Sequence, residues 1–212
     1  MVSVGGIEDE VSEMTGREFA AFEVGERFRV SPPGAPAGRD ARIELVMAPG
    51  AFGSGEHETT ASCLELLAEL PEAAGARVLD LGSGTGILAI AALKLGARSA
   101  LCVDVDPAAV RTCKLTCELN GVGDRVEHAC GSIDQVAGDP FGLVLANLYG
   151  DILLRVAERL VGSTRPGGVL VLSGILHEDN YDVERRYQEL GCAVLRNRRL
   201  EEFTTILLRR GS

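Results

Sequence analysis

The stretch Asp80-Leu81-Gly82-Ser83-Gly84-Thr85-Gly86 constrains this chain more than any other. It follows the apolar pair Val78-Leu79 and opens a helix-like run, Ile87 to Leu95. Glycines between a strand and a helix let backbone N–H groups approach a ligand closely at the helix N-terminus. Asp104 lies 22 residues beyond Gly82 and ends a second apolar run, Ala100 to Val103. A carboxylate there can accept hydrogen bonds from both hydroxyls of a ribose. Asp80, just before the turn, suits a ligand that brings a cation and a nucleoside to the same strand end.

A dinucleotide is the rival ligand. Its Gly-x-Gly-x-x-Gly fingerprint needs glycine at position 87 when read from Gly82, and that residue is Ile87. Read from Gly84, the third glycine is Ala89, which only the permissive form of the rule accepts. A pyrophosphate also disfavours a carboxylate beside its cradle. A βα turn that binds nothing explains one glycine, but not three with two placed carboxylates. The expected ligand is therefore S-adenosyl-L-methionine, held around Asp80, Gly82, Ser83, Gly84, Gly86, Asp104 and Val105.

A strand–helix alternation surrounds this turn. Strands are expected over 77–81, 100–104, 126–130, 141–147 and 168–173, with helices over 87–95, 107–120, 151–161 and 179–190. Pro107 suits a first helical turn and Asn120-Gly121 a helix stop. The end of the chain, 192–199 and 203–210, reads as a hairpin around Leu200-Glu201-Glu202. The pattern predicts an α/β fold: a doubly wound, seven-stranded, mostly parallel Rossmann-like sheet with an antiparallel C-terminal edge hairpin. Right-handed crossovers put the ligand at the carboxyl ends of the strands, where Gly82, Asp104, Gly131-Ser132 and Asn147 fall. Upstream, 59–70 has helical spacing, 22–30 and 42–47 alternate as strands, and 31–39 is a proline- and glycine-rich loop. Residues 1–16 read as loosely ordered. The expected division is an N-terminal extension, 1–41, and a catalytic domain, 42–212.

Composition narrows the partners. The 212 residues carry a net charge of −10, and the basic clusters are Arg196, Arg198, Arg199 and Arg209-Arg210. They read as a solvated hairpin edge rather than a nucleic-acid face, so direct nucleic-acid binding is not expected. No apolar run reaches the ~20 residues of a membrane span, and Met1 to Glu13 has no signal-peptide pattern, so no membrane partner and a cytoplasmic location are expected. The six cysteines include no Cys-x-x-Cys. Cys113 and Cys117 share a helix face without a matching pair, so no metal site is expected and the thiols read as buried apolar side chains.

Longer segments carry a family resemblance. Ala51-Phe52-Gly53-Ser54-Gly55-Glu56-His57-Glu58-Thr59-Thr60 resembles the loop before the core of the PrmA family, the bacterial methyltransferases of a ribosomal protein. The run from Leu79 to Ala97 resembles that family's first motif. Asp104-Val105-Asp106-Pro107, Ala146-Asn147-Leu148 and Leu172-Ser173-Gly174-Ile175-Leu176 resemble later ones. The resemblance extends over about 42–210 and implies class I methyl transfer to protein amino groups, on a lysine or an N-terminal amine. It implies that Thr60, Gly82, Asp104 and Asn147 contact the donor. Thr60 also reads as a plain N-terminal helix residue and Asn147 as a turn former at a strand end. Ser132 suits either the adenine or turn chemistry.

The donor's methyl is already activated, so the site chiefly has to align an amine and exclude water. Asn147 is expected to accept a hydrogen bond from that amine. Tyr149 either walls the acceptor pocket or packs at a helix start, and His57 is a candidate base in its loop. Asn147-Leu148-Tyr149-Gly150 departs from the Asn-Pro-Pro-Tyr signature of nucleobase or glutamine methylation. Glu56 and Glu58 replace the family's usual threonine and proline; they either attract a cationic substrate or form a solvated helix start. The family's N-terminal domain recruits its ribosomal protein, and only 41 residues precede Arg42, so the chemistry is expected to carry over without that device. The alternatives are methylation of a nucleic-acid or small-molecule amine, and a non-catalytic donor-binding module.

Overall fold

The structure, a computed structural model, describes residues 19–48 and 56–212. Two expectations, loose order over 1–16 and the first half of the loop motif, Ala51 to Gly55, lie outside the described residues.

Seven strands form the main sheet: β4 (Arg77–Leu81), β5 (Ser99–Asp104), β6 (Val126–Cys130), β7 (Phe141–Asn147), β8 (Thr164–Leu176), β9 (Cys192–Arg199) and β10 (Phe203–Arg210). Their order is β6-β5-β4-β7-β8-β10-β9. β4 to β8 run parallel, and β10 pairs antiparallel with both β8 and β9. Chain order reverses between β4 and β7, so a crevice opens there above the strands' carboxyl ends. β8 is longer than expected. Its Pro166-Gly167-Gly168 segment bulges out between two paired stretches: Thr164 lies opposite Phe141, and pairing resumes at Val169 opposite Leu143.

Alternation along the strands splits the core in two. One face buries Val78, Cys102, Leu143 and Val171 against α1 (Glu58–Glu69), α2 (Ile87–Lys94) and α3 (Pro107–Leu119). The other buries Leu79, Val103, Val144 and Leu170 against α4 (Gly150–Ser163) and α5 (Asn180–Glu189). With both faces covered, the central strands read as nearly continuous apolar runs. α2 is buried from Ile87 to Leu93, which explains why Ile87-Leu88-Ala89-Ile90-Ala91-Ala92-Leu93 carries no polar stripe.

The upstream strand expected over 22–30 is two strands. β1 (Phe22–Val24) and β2 (Phe28–Ser31) pair antiparallel around a turn in which Gly25 has φ 54°. Glycine takes that left-handed backbone without a Cβ penalty, and the turn interrupts what reads as continuous alternation. β3 (Ile43–Val46) joins β2 in parallel, and Val24, Phe28, Val30 and Leu45 enter the α1–α3 core. Asn120, past the end of α3, clamps this small sheet: its Oδ1 accepts from Val46 N at 3.0 Å and its Nδ2 donates to Val46 O at 2.6 Å.

Three hairpin arginines pair with glutamates of α1 and of the turn that follows it. Arg196 pairs with Glu69 at 2.6 Å, Arg198 with Glu65 at 2.5 Å and Arg209 with Glu72 at 2.5 Å. Solvent-exposed pairs of this kind contribute at most about 1 kcal/mol each, but they neutralise the basic cluster locally.

Candidate active site

The crevice at the β4/β7 reversal is a cavity of about 640 Å³. Its floor is made by local backbone. Gly82, Gly84 and Gly86 all have positive φ, at 72°, 53° and 80°. A Cβ on Gly82 would lie 2.4 Å from Leu148 Cδ2, so only glycine lets Leu148 close over the turn. Gly84 N donates to Asp104 Oδ2 at 2.9 Å, and Asp106 N donates to Asp104 Oδ1 at 3.0 Å. Each carboxylate oxygen keeps a second lone pair for a ligand. Asp106 in turn caps α3, its Oδ1 accepting from Ala108 N at 2.8 Å.

Asp80 lies beneath the turn, 1% exposed, with Oδ2 accepting from Ala89 N at 3.1 Å. Burial pushes its carboxyl up to about 8; Cys113 adds to the rise and the Ala89 N–H opposes it. A cation arriving beside it favours the ionised form. Ser83 is buried on the cavity wall, and its hydroxyl meets no hydrogen-bond partner among the described residues.

The rim is assembled from distant segments. Asn147, at the end of β7, donates from Nδ2 to Thr59 Oγ1 at 3.1 Å and to Thr60 Oγ1 at 3.3 Å. Its Oδ1 faces Gly174, where a Cβ would come within 3.1 Å of it and 2.7 Å of Leu148 O. Gly174 has φ 78°, so glycine is required there on both counts. His57 is the N-cap of α1: its Nδ1 lies 2.8 Å from Thr59 Oγ1 and accepts from Thr59 N at 3.4 Å. Its ring packs edge-on to Phe203, with centroids 5.2 Å apart. A capping Nδ1 engaged twice is committed to positioning α1.

Glu58 stands in the first turn of α1, as one of its two readings has it, but it is tied to the hairpin rather than simply solvated. Its carboxylate accepts from the backbone N–H of Glu201 at 2.8 Å, Glu202 at 3.1 Å and Phe203 at 3.2 Å. Partial burial opposes ionisation, but those three donors outweigh it and hold the carboxyl below its ordinary range. Glu58 is thus a clasp between α1 and the β9–β10 turn, and that clasp brings Phe203 to the rim.

Of the residues expected to hold the donor or act in transfer, all but Gly86 line this cavity, whereas Glu56 and Glu58 do not. Gly86 sits behind it as the N-cap of α2, where a Cβ would lie 2.6 Å from Cys113 Sγ. Val105 and Tyr149 are 73% and 63% exposed and form an apolar lip. Tyr149 also precedes α4, its carbonyl accepting from Leu153 N at 3.1 Å. Ser132 caps a short helical turn, Oγ accepting from Asp134 N at 3.2 Å. Sequence reasoning missed Thr59, Gly174 and Phe203 as cavity residues. Thr59 and Gly174 each lie inside a quoted motif, whereas Phe203 carried no signal.

Comparison with known proteins is consistent with this architecture. A family model described as ribosomal protein L11 methyltransferase (PrmA) matches residues 7–211. A protein of that name from Trichlorobacter lovleyi is 42% identical over 184 residues, covering 84% of this chain and 60% of the relative. Another, from Myxococcus xanthus, is 41% identical over 190 residues, covering 87% of this chain and 64% of the relative. The chain thus spans about 60% of the length of such relatives. A crystal structure of a ribosomal protein L11 methylase from Lactobacillus delbrueckii subsp. bulgaricus superposes with a TM-score of 0.82 at 24% identity. It covers 92% of this chain and 100% of that one, a likeness of fold. By sequence, the chain belongs to the ribosomal protein L11 methyltransferase (PrmA) family.

Proposed function

We propose that this chain transfers a methyl group from S-adenosyl-L-methionine to a protein amino group, on a lysine or an N-terminal amine of a ribosomal protein. The observation that carries the reading is one cavity holding the glycine turn, Asp104 and the Thr59–Thr60–Asn147 cluster.

The residues fit the donor. Gly82 and Gly84 leave a cradle without side chains, the free lone pairs of Asp104 suit a ribose, and the partnerless Ser83 hydroxyl offers a further polar contact. Asp80 complements a cationic group through the backbone of the turn. The donor supplies a methyl on a sulfonium, already activated for displacement. The chain's own tasks are positioning and desolvation. Thr59 and Thr60 fix the Asn147 carboxamide, so its Oδ1 can accept one hydrogen bond from an incoming amine. An alkyl ammonium, with an ordinary pKa of about 10.4, loses its proton more readily on entering an apolar site. Phe203, Leu148 and Ile152 supply those apolar walls. Aligning amine and methyl in one closed space replaces a bimolecular encounter.

The net charge of −10 and the paired hairpin arginines favour a basic protein acceptor over a nucleic acid. The test is incubation with label-bearing donor and a bacterial extract, split between protease and nuclease, alongside purified ribosomal protein L11. The expected label is lost with protease and lies on an amino group. Label that resists protease and disappears with nuclease overturns the acceptor assignment.

A further inference from the structure

We propose that Cys102, Cys113 and His128 form a binding site for one zinc(II) ion behind the glycine turn. Nothing in the proposed reaction requires it, and the inference stands apart from that reading.

Three segments converge here. β5 and β6 run parallel with Cys102 in register with His128, so both side chains leave the same face of the sheet. α3 packs over that face and points Cys113 down at them. The two sulfurs and a ring nitrogen of His128 lie within 4.8 Å of one another. Cys102 is 1% exposed and Cys113 is fully enclosed. The Nδ1 of His128 is enclosed too and has no conventional partner among the described residues; the polar group beside the ring is the Cys113 thiol. A buried ring nitrogen beside a weak thiol partner is poorly satisfied, and a cation among thiols relieves that cost.

The chemistry of the set selects the ion. Thiolates and imidazole prefer soft or borderline cations, and zinc accepts this mixture tetrahedrally. Zinc–ligand bonds of about 2.0 to 2.3 Å place neighbouring ligand atoms about 3.5 Å apart, so the cluster closes by roughly 1 Å to bind. Cys117, one helical turn beyond Cys113 and also buried, directs its thiol at the Cys113 sulfur and would hydrogen-bond that thiolate while staying protonated, leaving the fourth position to water. Each coordinating thiol gives its proton to solvent as its bond to zinc forms. Two thiolates and a neutral imidazole leave the bound ion without net charge, as a buried site needs. Entry is open from one side, because β6 is the sheet's edge strand and His128 is only half-buried.

The place matters as well. Cys113 Sγ is the atom a Gly86 Cβ would strike, at 2.6 Å, so an ion here joins α3 and the β5–β6 edge directly behind the turn.

The test uses the full chain, kept reduced with a phosphine. Zinc is added, excess is removed by gel filtration, and metal per chain is measured. Cobalt(II) serves as a spectroscopic probe of the same site. The expected result is one zinc per chain, a thiolate-to-cobalt charge-transfer band and a higher melting temperature with zinc. Cys113→Ser and His128→Gln should each weaken zinc binding at least tenfold. Cys130→Ser, which removes an exposed thiol outside the cluster, should leave it unchanged. His128→Gln alters a half-buried edge residue, so it remains informative if Cys113→Ser does not fold. Failure of the wild-type chain to retain zinc, or undiminished retention in folded His128→Gln, overturns the proposal.

Discussion

The floor of the cavity, from Asp80 to Asp104, and its rim, from Thr59 through Asn147 to Phe203, bound the same space but are built differently. The floor is two adjacent βα units. Its defining contact, Gly84 N to Asp104 Oδ2, joins residues 20 apart, and its shape is set by backbone at three glycines. The rim is side chains brought from far away. Asn147 meets Thr59 across 88 residues, and Glu58 meets the N–H of Phe203 across 145. A backbone cradle tolerates no added atom, and its own hydrogen bonds are made within the two adjacent units. A side-chain rim depends on every element that delivers it. Damage to the floor should therefore appear in donor affinity, and damage to the rim in transfer.

The strongest way to break that division is Asn147→Ala. It removes the carboxamide and releases both threonine hydroxyls, and misplacement of about 1 Å at such a site can cost about a hundredfold in rate. We expect kcat/KM for methyl transfer to fall by about that factor, with donor affinity in calorimetry falling much less. Equal losses in both would merge floor and rim into one unit.

Gly82→Ala attacks the floor. It forces alanine into φ 72° and presses Leu148 Cδ2. The left-handed backbone costs about 1 to 2 kcal/mol, and displacing Leu148 adds to it, so donor affinity should fall by about thirtyfold. Affinity within a factor of two of the parent would remove the cradle argument.

Asp104→Ala should cost about tenfold in donor affinity while leaving the chain folded, since hydrogen bonds to charged groups contribute about 1.5 to 3 kcal/mol each. Part of that loss belongs to Gly84 N, which also loses its acceptor. Asp104→Asn, which keeps an oxygen acceptor, should recover some of it, and a titration series across the three proteins measures the split.

Glu58→Gln tests the clasp and has the smallest expected effect, a few-fold rise in acceptor KM with donor affinity unchanged. The effect should be the same at low and high salt, because Glu58 acts by contact; strong salt dependence would restore an electrostatic steering role. Its pH signature has a definite sign. A carboxyl held below its ordinary range contributes stability above its unfolded value of about 4.3, and loses it as pH falls through the folded value. Melting curves between pH 7 and pH 3 should show a slightly smaller acid-induced drop for Glu58→Gln than for the parent.

The sequence was readable where structure is local. Asp80 to Gly86 announces a strand, a turn and a helix within a dozen residues, and the apolar runs of β4, β5 and β7 follow from burial on both sheet faces. The break at Gly25 was harder, because β1 and β2 share one alternation across the turn. The clasp made by Glu58 was not legible because it depends on the N–H groups of Glu201, Glu202 and Phe203, which leave no mark near position 58. Cys102, Cys113 and His128 show no metal-binding spacing, since strand register and helix packing bring them together.

The sequence by itself determined the α/β alternation, the glycine turn and the carboxylates that flank it, because backbone conformation and burial periodicity are written in neighbouring residues. The tertiary structure alone decided which loop meets which: that α1 carries Thr59 and Thr60 to Asn147, that the hairpin turn lays Phe203 against His57, and that two thiols and an imidazole face one another behind Gly86. Those contacts depend on strand order and helix placement, and they are set by how the whole sheet buries its two faces rather than by any one segment.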